Sequence, residues 1–128
     1  MSNQKAKILV IEDDEYSRDA LAHLLASEGY NTQSASDGES GLTKAREMRP
    51  DVIVLDLNLP GINGKQVIKT IRDDESLKKI PILIVTGEDN EARAAVDLGA
   101  DGYLTKPVEF DDLIREISEL QSKSAGAT

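Results

Sequence analysis

Cysteine and tryptophan are absent from the sequence, and its aromatic residues are limited to one phenylalanine and three tyrosines. Without cysteine the chain can form neither disulfides nor a thiol-based active site. With so few aromatic residues, the core must be built from aliphatic side chains. No apolar run approaches the roughly 18 residues of a membrane span, and the N-terminus lacks the apolar segment of a signal peptide. We therefore expect a cytoplasmic protein that makes no membrane contact.

Positive charge is also scarce, since 15 lysines and arginines stand against 24 aspartates and glutamates, for a net charge of −9. The basic residues are scattered and form no run. Because nucleic acids bind to lysine and arginine surfaces, we expect no direct DNA binding. The length of 128 residues and a hydrophobic content of 39% fit one globular domain. We expect residues 1–128 to form that domain, with a core at 6–121 and a frayed tail at 122–128.

Apolar segments alternate with segments of helical spacing along the chain. The predicted strands are 7–11, 31–36, 52–55, 80–85 and 102–104. The predicted helices are 16–28, 37–48, 64–72, 90–98 and 109–121. This alternation indicates an α/β fold with a parallel sheet. The first, third and fourth strands are the most apolar and belong in the middle, which predicts a doubly wound, flavodoxin-like sheet of order 2-1-3-4-5 with helices on both faces.

The first and the fourth predicted helices differ in their apolar pattern. The first is expected to pack through Ala20, Leu21, Leu24 and Leu25. The fourth, at 90–98, is rich in alanine and poorly amphipathic, so we expect it to be the least firmly packed element.

The third strand is followed directly by an acidic residue. Val52 to Leu55 have the character of a strand buried on both faces, and Asp56 ends this run before the turn at Pro60-Gly61. A carboxylate at this position is costly to bury unless something pairs with it. Asp56 could equally open a solvated loop. The other apolar strands, however, also end in polar groups.

Ligands of such sheets bind beyond the carboxyl ends of the strands, where the strand order reverses. The polar groups expected there are Glu12, Asp13, Asp56, Thr86 and Lys106. The acids at 12–15 could also serve a helix N-terminus, although that role accounts for one or two acids better than for four. Three carboxylates about 5 Å apart repel by roughly 3 kcal/mol per pair at an effective dielectric near 20. A bound cation would relieve this repulsion, and oxygen ligands without nearby histidine or cysteine suit Mg²⁺ or Mn²⁺.

A divalent cation, a carboxylate and a lysine together describe acyl-phosphate chemistry. Asp56 would be the nucleophile, and the cation would neutralise charge on the transferred phosphoryl group. Lys106 would hold one of the phosphoryl oxygens, and Thr86 would add a hydroxyl at the same edge.

Four motifs carry these residues: ILVIEDD at 8–14, VLDLNLPG at 54–61, VTG at 85–87 and GADGYLTKP at 99–107. As a set they resemble a two-component response regulator receiver domain, of the stand-alone, chemotaxis-regulator kind, over residues 6–121. The resemblance implies a signalling switch rather than an enzyme. It also implies that Asp56 accepts a phosphoryl group from the phosphohistidine of a histidine kinase or phosphotransfer protein, or from a small donor such as acetyl phosphate.

The resemblance also assigns roles to individual residues. Asp13 and Asp56 would ligate Mg²⁺ directly, Glu12 through water, and Asn58 through its backbone carbonyl. Lys106 would bind the phosphoryl group, and its bond to Pro107 is commonly cis in this family. Asp14 falls outside the aligned acidic pair and is expected to supply charge at the start of a helix.

The family's switch involves two further positions. Thr86 would turn its hydroxyl toward the phosphoryl oxygen, and Tyr103 would move inward, although an ordinary half-buried strand tyrosine explains Tyr103 as well. This movement would change the face formed by the fourth helix, fifth strand and fifth helix, where a partner protein or a second copy of the chain would bind. The sequence ends after the fifth helix, so we expect output by such docking. Asn58 and Glu88 flank the expected path of the hydrolytic water and suggest a short phosphoryl lifetime.

Three alternatives to a stand-alone receiver are open. A flavodoxin would bind an anionic flavin phosphate after the first strand, where residues 12–15 are acidic and would repel it. A haloacid-dehalogenase-like phosphatase also uses an aspartyl nucleophile, but it needs a second acid where Asn58 stands. A receiver module excised from a larger hybrid kinase or regulator would have the same chemistry with a different output.

Overall fold

Strands and helices alternate through the part of the chain that the computed structural model describes, which is the backbone of residues 6–126 and the side chains of residues 6–122. The strands are β1 (Lys7–Ile11), β2 (Asn31–Ala35), β3 (Val52–Asp56), β4 (Ile82–Thr86) and β5 (Gly102–Thr105). The helices are α1 (Glu15–Ser27), α2 (Gly38–Met48), α3 (Gly64–Asp73), α4 (Asp89–Asp97) and α5 (Phe110–Gly126). All strand pairs are parallel and the order is β2-β1-β3-β4-β5, so the predicted fold is confirmed.

The predicted boundaries agree to within one residue except at two places. β4 begins at Ile82 rather than at residue 80, because Pro81 has no amide hydrogen to donate to a neighbouring strand. The carbonyl of Pro81 still accepts a hydrogen bond from the amide of Ile53, at 2.9 Å. α5 continues to Gly126, five residues beyond its predicted end at 121, and the last two residues of the predicted frayed tail at 122–128 lie outside the described residues.

Aliphatic side chains fill both faces of the sheet. β3 and β4 are buried at every position, as two-sided coverage of a parallel sheet requires. Residues such as Leu9, Ile53 and Ile84 pack on one face with α2, α3 and α4. Ile8 and Val54 pack on the other face with α1 and α5. This two-layer covering fixes the carboxyl ends of the central strands relative to one another.

The packing of α1 differs from the prediction at one position. α1 fully buries only Leu25, and Ala20 is exposed rather than inward-facing. α4 fully buries Ala92 and Ala95. The expectation that α4 is the least firmly packed element stays a prediction, since Val96 and Leu98 near its C-terminal end are exposed. Within residues 6–126, none of the helices has both the length and the apolar character needed to cross a bilayer.

The loop after β1 is fixed by the cap of the following helix. The carboxylate of Asp14 accepts a hydrogen bond of 2.8 Å from the backbone amide of Ser17 at the start of α1. This bond lowers the pKa of Asp14 and keeps the carboxylate charged at the positive end of the helix dipole. Asp14 thus has the helix-start role predicted for it, and its neighbours on the N-terminal side are held in place.

Candidate functional site

The sheet brings five predicted polar side chains to its carboxyl edge. Glu12 follows β1, Asp56 ends β3 and Thr86 ends β4. Because β1 and β3 are adjacent, as are β3 and β4, these three positions are neighbours across the sheet. The other two, Asp13 and Lys106, lie in the loops after β1 and β5.

Three carboxylates form the centre of this site. Glu12, Asp13 and Asp56 each present one oxygen, and these three oxygens lie within 4.8 Å of one another. Glu12 and Asp56 are only 2% and 5% exposed, whereas Asp13 is exposed. Oxygens that ligate the same octahedral Mg²⁺ lie about 2.9 Å apart when adjacent and about 4.2 Å apart when opposite, so the carboxylates would move closer together on binding an ion. An all-carboxylate set of this size fits Mg²⁺ or Mn²⁺.

Lys106 lies between the two buried carboxylates. Its Nζ is 3.1 Å from Oε1 of Glu12 and 3.1 Å from Oδ2 of Asp56. Burial alone would lower the pKa of Lys106, but hydrogen bonds and charge from Asp56 and Glu12 outweigh it and raise the pKa. The lysine therefore stays charged at neutral pH. One ammonium against three carboxylates leaves a charge of −2 when all are ionised, which a divalent cation would neutralise.

Burial and the hydrogen bond from the Asp14 amide change the pKa of Glu12 in opposite directions. Loss of water around the carboxylate raises the pKa of Glu12, and the nearby charge of Asp56 raises it further. A 3.0 Å hydrogen bond from the backbone amide of Asp14 to Oε2 of Glu12 lowers it in part. The net direction is upward, so the ionised form of Glu12 is less favourable in the fold than in water.

The loop after β3 and the start of α3 hold Asp56 in place. Oδ1 of Asp56 accepts a hydrogen bond of 2.9 Å from the amide of Asn58. Gly64 at the start of α3 lies so close to this loop that a Cβ there would be 2.6 Å from the Cα of Leu57. The absence of a side chain at Gly64 thus allows α3 to pack against the residue next to Asp56.

Thr86 has a hydroxyl without a partner. Its side chain is buried, and among the described residues Oγ1 has no hydrogen-bond partner. Gly87 beside it has open space where a Cβ would be. The backbone amide of Lys106 donates to the carbonyl of Thr86 at 2.8 Å, and the Lys106–Pro107 bond is cis, as the resemblance implies. A buried unpaired hydroxyl is unfavourable by itself and is available to an incoming acceptor.

Three other predicted residues lie around this cluster rather than in it. Asn58 is exposed and contacts Asp56 through its backbone amide. Glu88 is exposed at the N-terminal cap position of α4, where its side chain makes no capping hydrogen bond. Tyr103 is partly buried on β5 and packs against the core cluster shared with α3 and α4.

Arg18 contacts the site but was not among the predicted residues. Its Nη1 donates to the backbone carbonyls of Glu12, at 3.0 Å, and Asp13, at 3.2 Å. The sequence signal, a basic residue near the start of a helix after an acidic loop, was present. It does not distinguish a contact with carbonyls from an ordinary surface charge.

The sequence that forms this site also matches a known protein family. Residues 8–118 match the family described as the response regulator receiver domain. The chain belongs to this family. The receiver-domain assignment replaces the flavodoxin and phosphatase alternatives, and it explains why carboxylates, a threonine and a lysine meet at one edge of the sheet.

Among curated relatives, the receiver domain is 35% identical over 119 residues to the DNA-binding response regulator MtrA of Mycobacterium tuberculosis, covering 91% of this chain and 51% of MtrA. It is 43% identical over 104 residues to the transcriptional regulatory protein AfsQ1 of Streptomyces coelicolor, covering 80% of this chain and 45% of AfsQ1. The chain thus spans about half the length of these relatives.

Solved structures include relatives of single-domain size. The chemotaxis response regulator CheY4 of Vibrio cholerae superimposes with a TM-score of 0.85 at 32% identity, covering 91% of this chain and 99% of CheY4. The receiver domain of Francisella response regulator 1452 gives a TM-score of 0.86 at 27% identity, covering 94% of this chain and 99% of that domain. Both comparisons confirm the order and packing of the elements.

Millimolar Mg²⁺ should raise the melting temperature of the receiver domain, because a cation that binds the folded acid cluster stabilises it by mass action. The raised pKa of Glu12 sets the pH dependence. The contribution of Glu12 to the folding stability of the metal-free protein is fully present below its ordinary pKa of 4.5, and it is lost as the pH rises through the raised pKa. The rise in melting temperature that Mg²⁺ causes should therefore be larger at neutral pH, where Glu12 is ionised, than near pH 4.5. Calorimetric melting in MgCl₂ and in NaCl of equal ionic strength measures it, and equal melting temperatures at neutral pH would contradict the metal site.

Proposed function

We propose that this receiver domain is a phosphorylation-dependent switch that accepts a phosphoryl group on Asp56 and then changes its affinity for a partner protein. The observation that carries the proposal is the position of Nζ of Lys106, 3.1 Å from carboxylate oxygens of both Asp56 and Glu12. An ammonium group at this position can hold a phosphoryl oxygen as soon as a phosphoryl group is attached to Asp56. Receiver domains of response regulators work with histidine kinases, so the donor is a phosphohistidine or a small acyl phosphate.

The chemistry assigned to each residue follows from its position. The carboxylate of Asp56 attacks phosphorus, the bond from phosphorus to the donor breaks, and its electrons leave with the donor group. Asp13 and Asp56, with Glu12 through water and the carbonyl of Asn58, would hold the Mg²⁺. The ion, when bound, neutralises charge on the phosphoryl oxygens. Lys106 would move from its contact with Asp56 to one of those oxygens.

The surface beside the site suits a helical phosphodonor. A groove next to Lys106 is lined largely by the apolar side chains of Leu21, Leu24, Val85 and Pro107. Tyr16 lies on its rim and is 84% exposed, the most exposed of the large hydrophobic side chains described. A donor whose histidine lies on a helix could bury apolar surface here while the histidine approaches Asp56.

The change in partner binding after phosphorylation would involve Thr86 and Tyr103. The unpartnered hydroxyl of Thr86 would donate to a phosphoryl oxygen on Asp56, and Tyr103 would move inward on β5. This changes the face formed by α4, β5 and α5, where a downstream protein or a second phosphorylated copy would bind. The described receiver residues would not contact DNA directly, since the chain carries a charge of −9.

A module within a longer regulator is the second candidate. It is favoured by the relatives, of which this chain covers 51% in MtrA and 45% in AfsQ1. The transfer to Asp56 would be the same, and the changed face would then act on an attached segment. Comparing partner capture by the phosphorylated and unmodified domain separates docking in trans from this alternative.

The test is Mg²⁺-dependent transfer from acetyl phosphate, followed by intact-protein mass spectrometry. We expect a mass increase of one phosphoryl group that disappears with hydroxylamine, which cleaves acyl phosphates, and that does not form in EDTA. A mass increase that is independent of divalent metal, or that resists hydroxylamine, would contradict phosphorylation of a carboxylate at the acid cluster.

The phosphoryl group should be lost at the faster end of the range for receiver domains. Gly87 leaves open space beside Thr86, and Asn58 and Glu88 are both exposed, so a water molecule has access to the phosphorus. Following the phosphorylated mass over time after donor removal measures the lifetime. Persistence for hours in Mg²⁺ buffer would show that this access is unimportant.

A further inference from the structure

Arg18 is bonded to the backbone of the metal-binding loop rather than to any of its carboxylates. Its Nη1 donates to the carbonyl of Glu12 at 3.0 Å and to that of Asp13 at 3.2 Å. The residue is half-buried near the start of α1. These two consecutive carbonyls belong to two of the three residues whose carboxylates form the acid cluster. The guanidinium therefore constrains the backbone that carries two cluster ligands.

The other contacts of this loop leave one ligand unsupported. The Glu12 side chain is held by Nζ of Lys106 and by the amide of Asp14, at 3.1 and 3.0 Å. Among the described residues, the Asp13 carboxylate accepts no hydrogen bond, and it is exposed. Its place in the cluster depends on the backbone from which it projects. Arg18 is bonded to that backbone at Glu12 and Asp13, whereas the Asp14 cap holds the loop one residue further on.

We propose that Arg18 is a positioning residue for the divalent-metal site, acting by holding the carbonyls of Glu12 and Asp13 so that the Asp13 carboxylate faces the ion. The inference rests on the proposed function, because it concerns the Mg²⁺ that phosphorylation of Asp56 requires. Groups that orient metal ligands without touching the metal typically change metal affinity by about 10- to 100-fold when they are removed. A solvent-exposed loop is partly ordered by the ion itself, so we expect an effect of about tenfold here.

A positioning role and simple electrostatics predict opposite changes in Mg²⁺ affinity for Arg18→Gln. Arg18→Gln removes a positive charge close to three carboxylates, and Coulomb attraction alone would then make Mg²⁺ bind more tightly. If Arg18 positions Asp13, Mg²⁺ should instead bind about tenfold more weakly. Arg18→Lys keeps the charge but loses the planar guanidinium that can reach two carbonyls, so its Mg²⁺ affinity should also fall, by less.

The experiment is a calorimetric titration of MgCl₂ into the full chain, with no phosphodonor present. Wild type, Arg18→Gln and Arg18→Lys are compared with Arg46→Gln, which removes the same charge from a side chain that is 50% exposed on α2 and bonded to Asp74. Arg46→Gln should bind Mg²⁺ as wild type does. Melting in EDTA reports any loss of fold stability separately. If Arg18→Gln does not fold, Arg18→Lys decides the question.

A double-mutant cycle tests whether Arg18 acts through Asp13. Asp13→Asn should weaken Mg²⁺ binding, and adding Arg18→Gln to it should then cause little further loss. Mg²⁺ affinity that is unchanged or increased in both Arg18 variants, or losses that simply add in the double variant, would overturn the proposal. If wild type itself fails to bind Mg²⁺, the proposed function fails as well, so the two failures are distinguishable.

Discussion

Asp56→Asn should abolish labelling of the receiver domain by acetyl phosphate in Mg²⁺. An amide oxygen is a far weaker nucleophile than a carboxylate, and the substitution also removes one of the three charges that would hold the ion. The side chain keeps its shape, so Oδ1 can still accept the 2.9 Å hydrogen bond from the amide of Asn58. We expect no mass increase at donor concentrations that label wild type completely.

The fold itself should survive this change. Asp56 is 5% exposed and lies beside Glu12, so neutralising it removes a buried like-charge repulsion, and the metal-free protein should melt at the same temperature or higher. Asp73→Asn is the control, because Asp73 is exposed at the C-terminal end of α3 and should label normally. Undiminished labelling of a folded Asp56→Asn protein would remove Asp56 from the role proposed for it.

Lys106→Met should destabilise the metal-free receiver domain at neutral pH. The ammonium is 3.1 Å from two carboxylates that are 2% and 5% exposed, and without it both are buried with no cation beside them. Breaking a fully buried ion pair costs about 3–5 kcal/mol; we expect a loss of about 2 kcal/mol in the free energy of unfolding, because 37% of the Lys106 side chain is exposed.

The same substitution should make the protein more dependent on Mg²⁺. In wild type Lys106 neutralises part of the acid cluster, so in its absence the ion has more charge to neutralise, and its effect on the melting temperature should grow. Urea denaturation in EDTA and in millimolar Mg²⁺ measures both effects, with Lys69→Met, an exposed lysine on α3, as the control. Equal stability of Lys106→Met and Lys69→Met in EDTA would contradict this account of the cluster.

Much of the fold could be predicted because the number of apolar residues in a strand shows how deeply that strand is buried. Strands such as Ile82–Thr86 are apolar on both faces, and the polar strand Asn31–Ala35 can lie only at an edge, which determines the order of the sheet. Once the strands are parallel and ordered, their carboxyl ends coincide. Glu12, Asp56 and Lys106 were therefore predicted to meet even though they are distant in the chain.

The features that escaped prediction depend on backbone contacts or on local geometry. The bonds from Arg18 to two carbonyls could not be told from an ordinary surface charge, since every residue has a carbonyl and residue type does not show which one is contacted. Ala20 was placed inward because alanine suits either face of a helix, and packing alone decides which. The unpaired hydroxyl of Thr86 depends on the absence of nearby donors and acceptors, which only the assembled site determines.

The hydrogen bond between Lys106 and Glu12 joins residues 94 positions apart in the chain. Because every pair of adjacent strands is parallel, none can form through a local hairpin, and each pairing waits for a crossover to be made. During synthesis, an emerging chain that stops short of the last strand has the three acidic residues but lacks the lysine that is proposed to hold the phosphoryl group. If Asp56 is the acceptor as proposed, we therefore expect phosphorylation only after the fifth strand and the loop that carries Lys106 have folded.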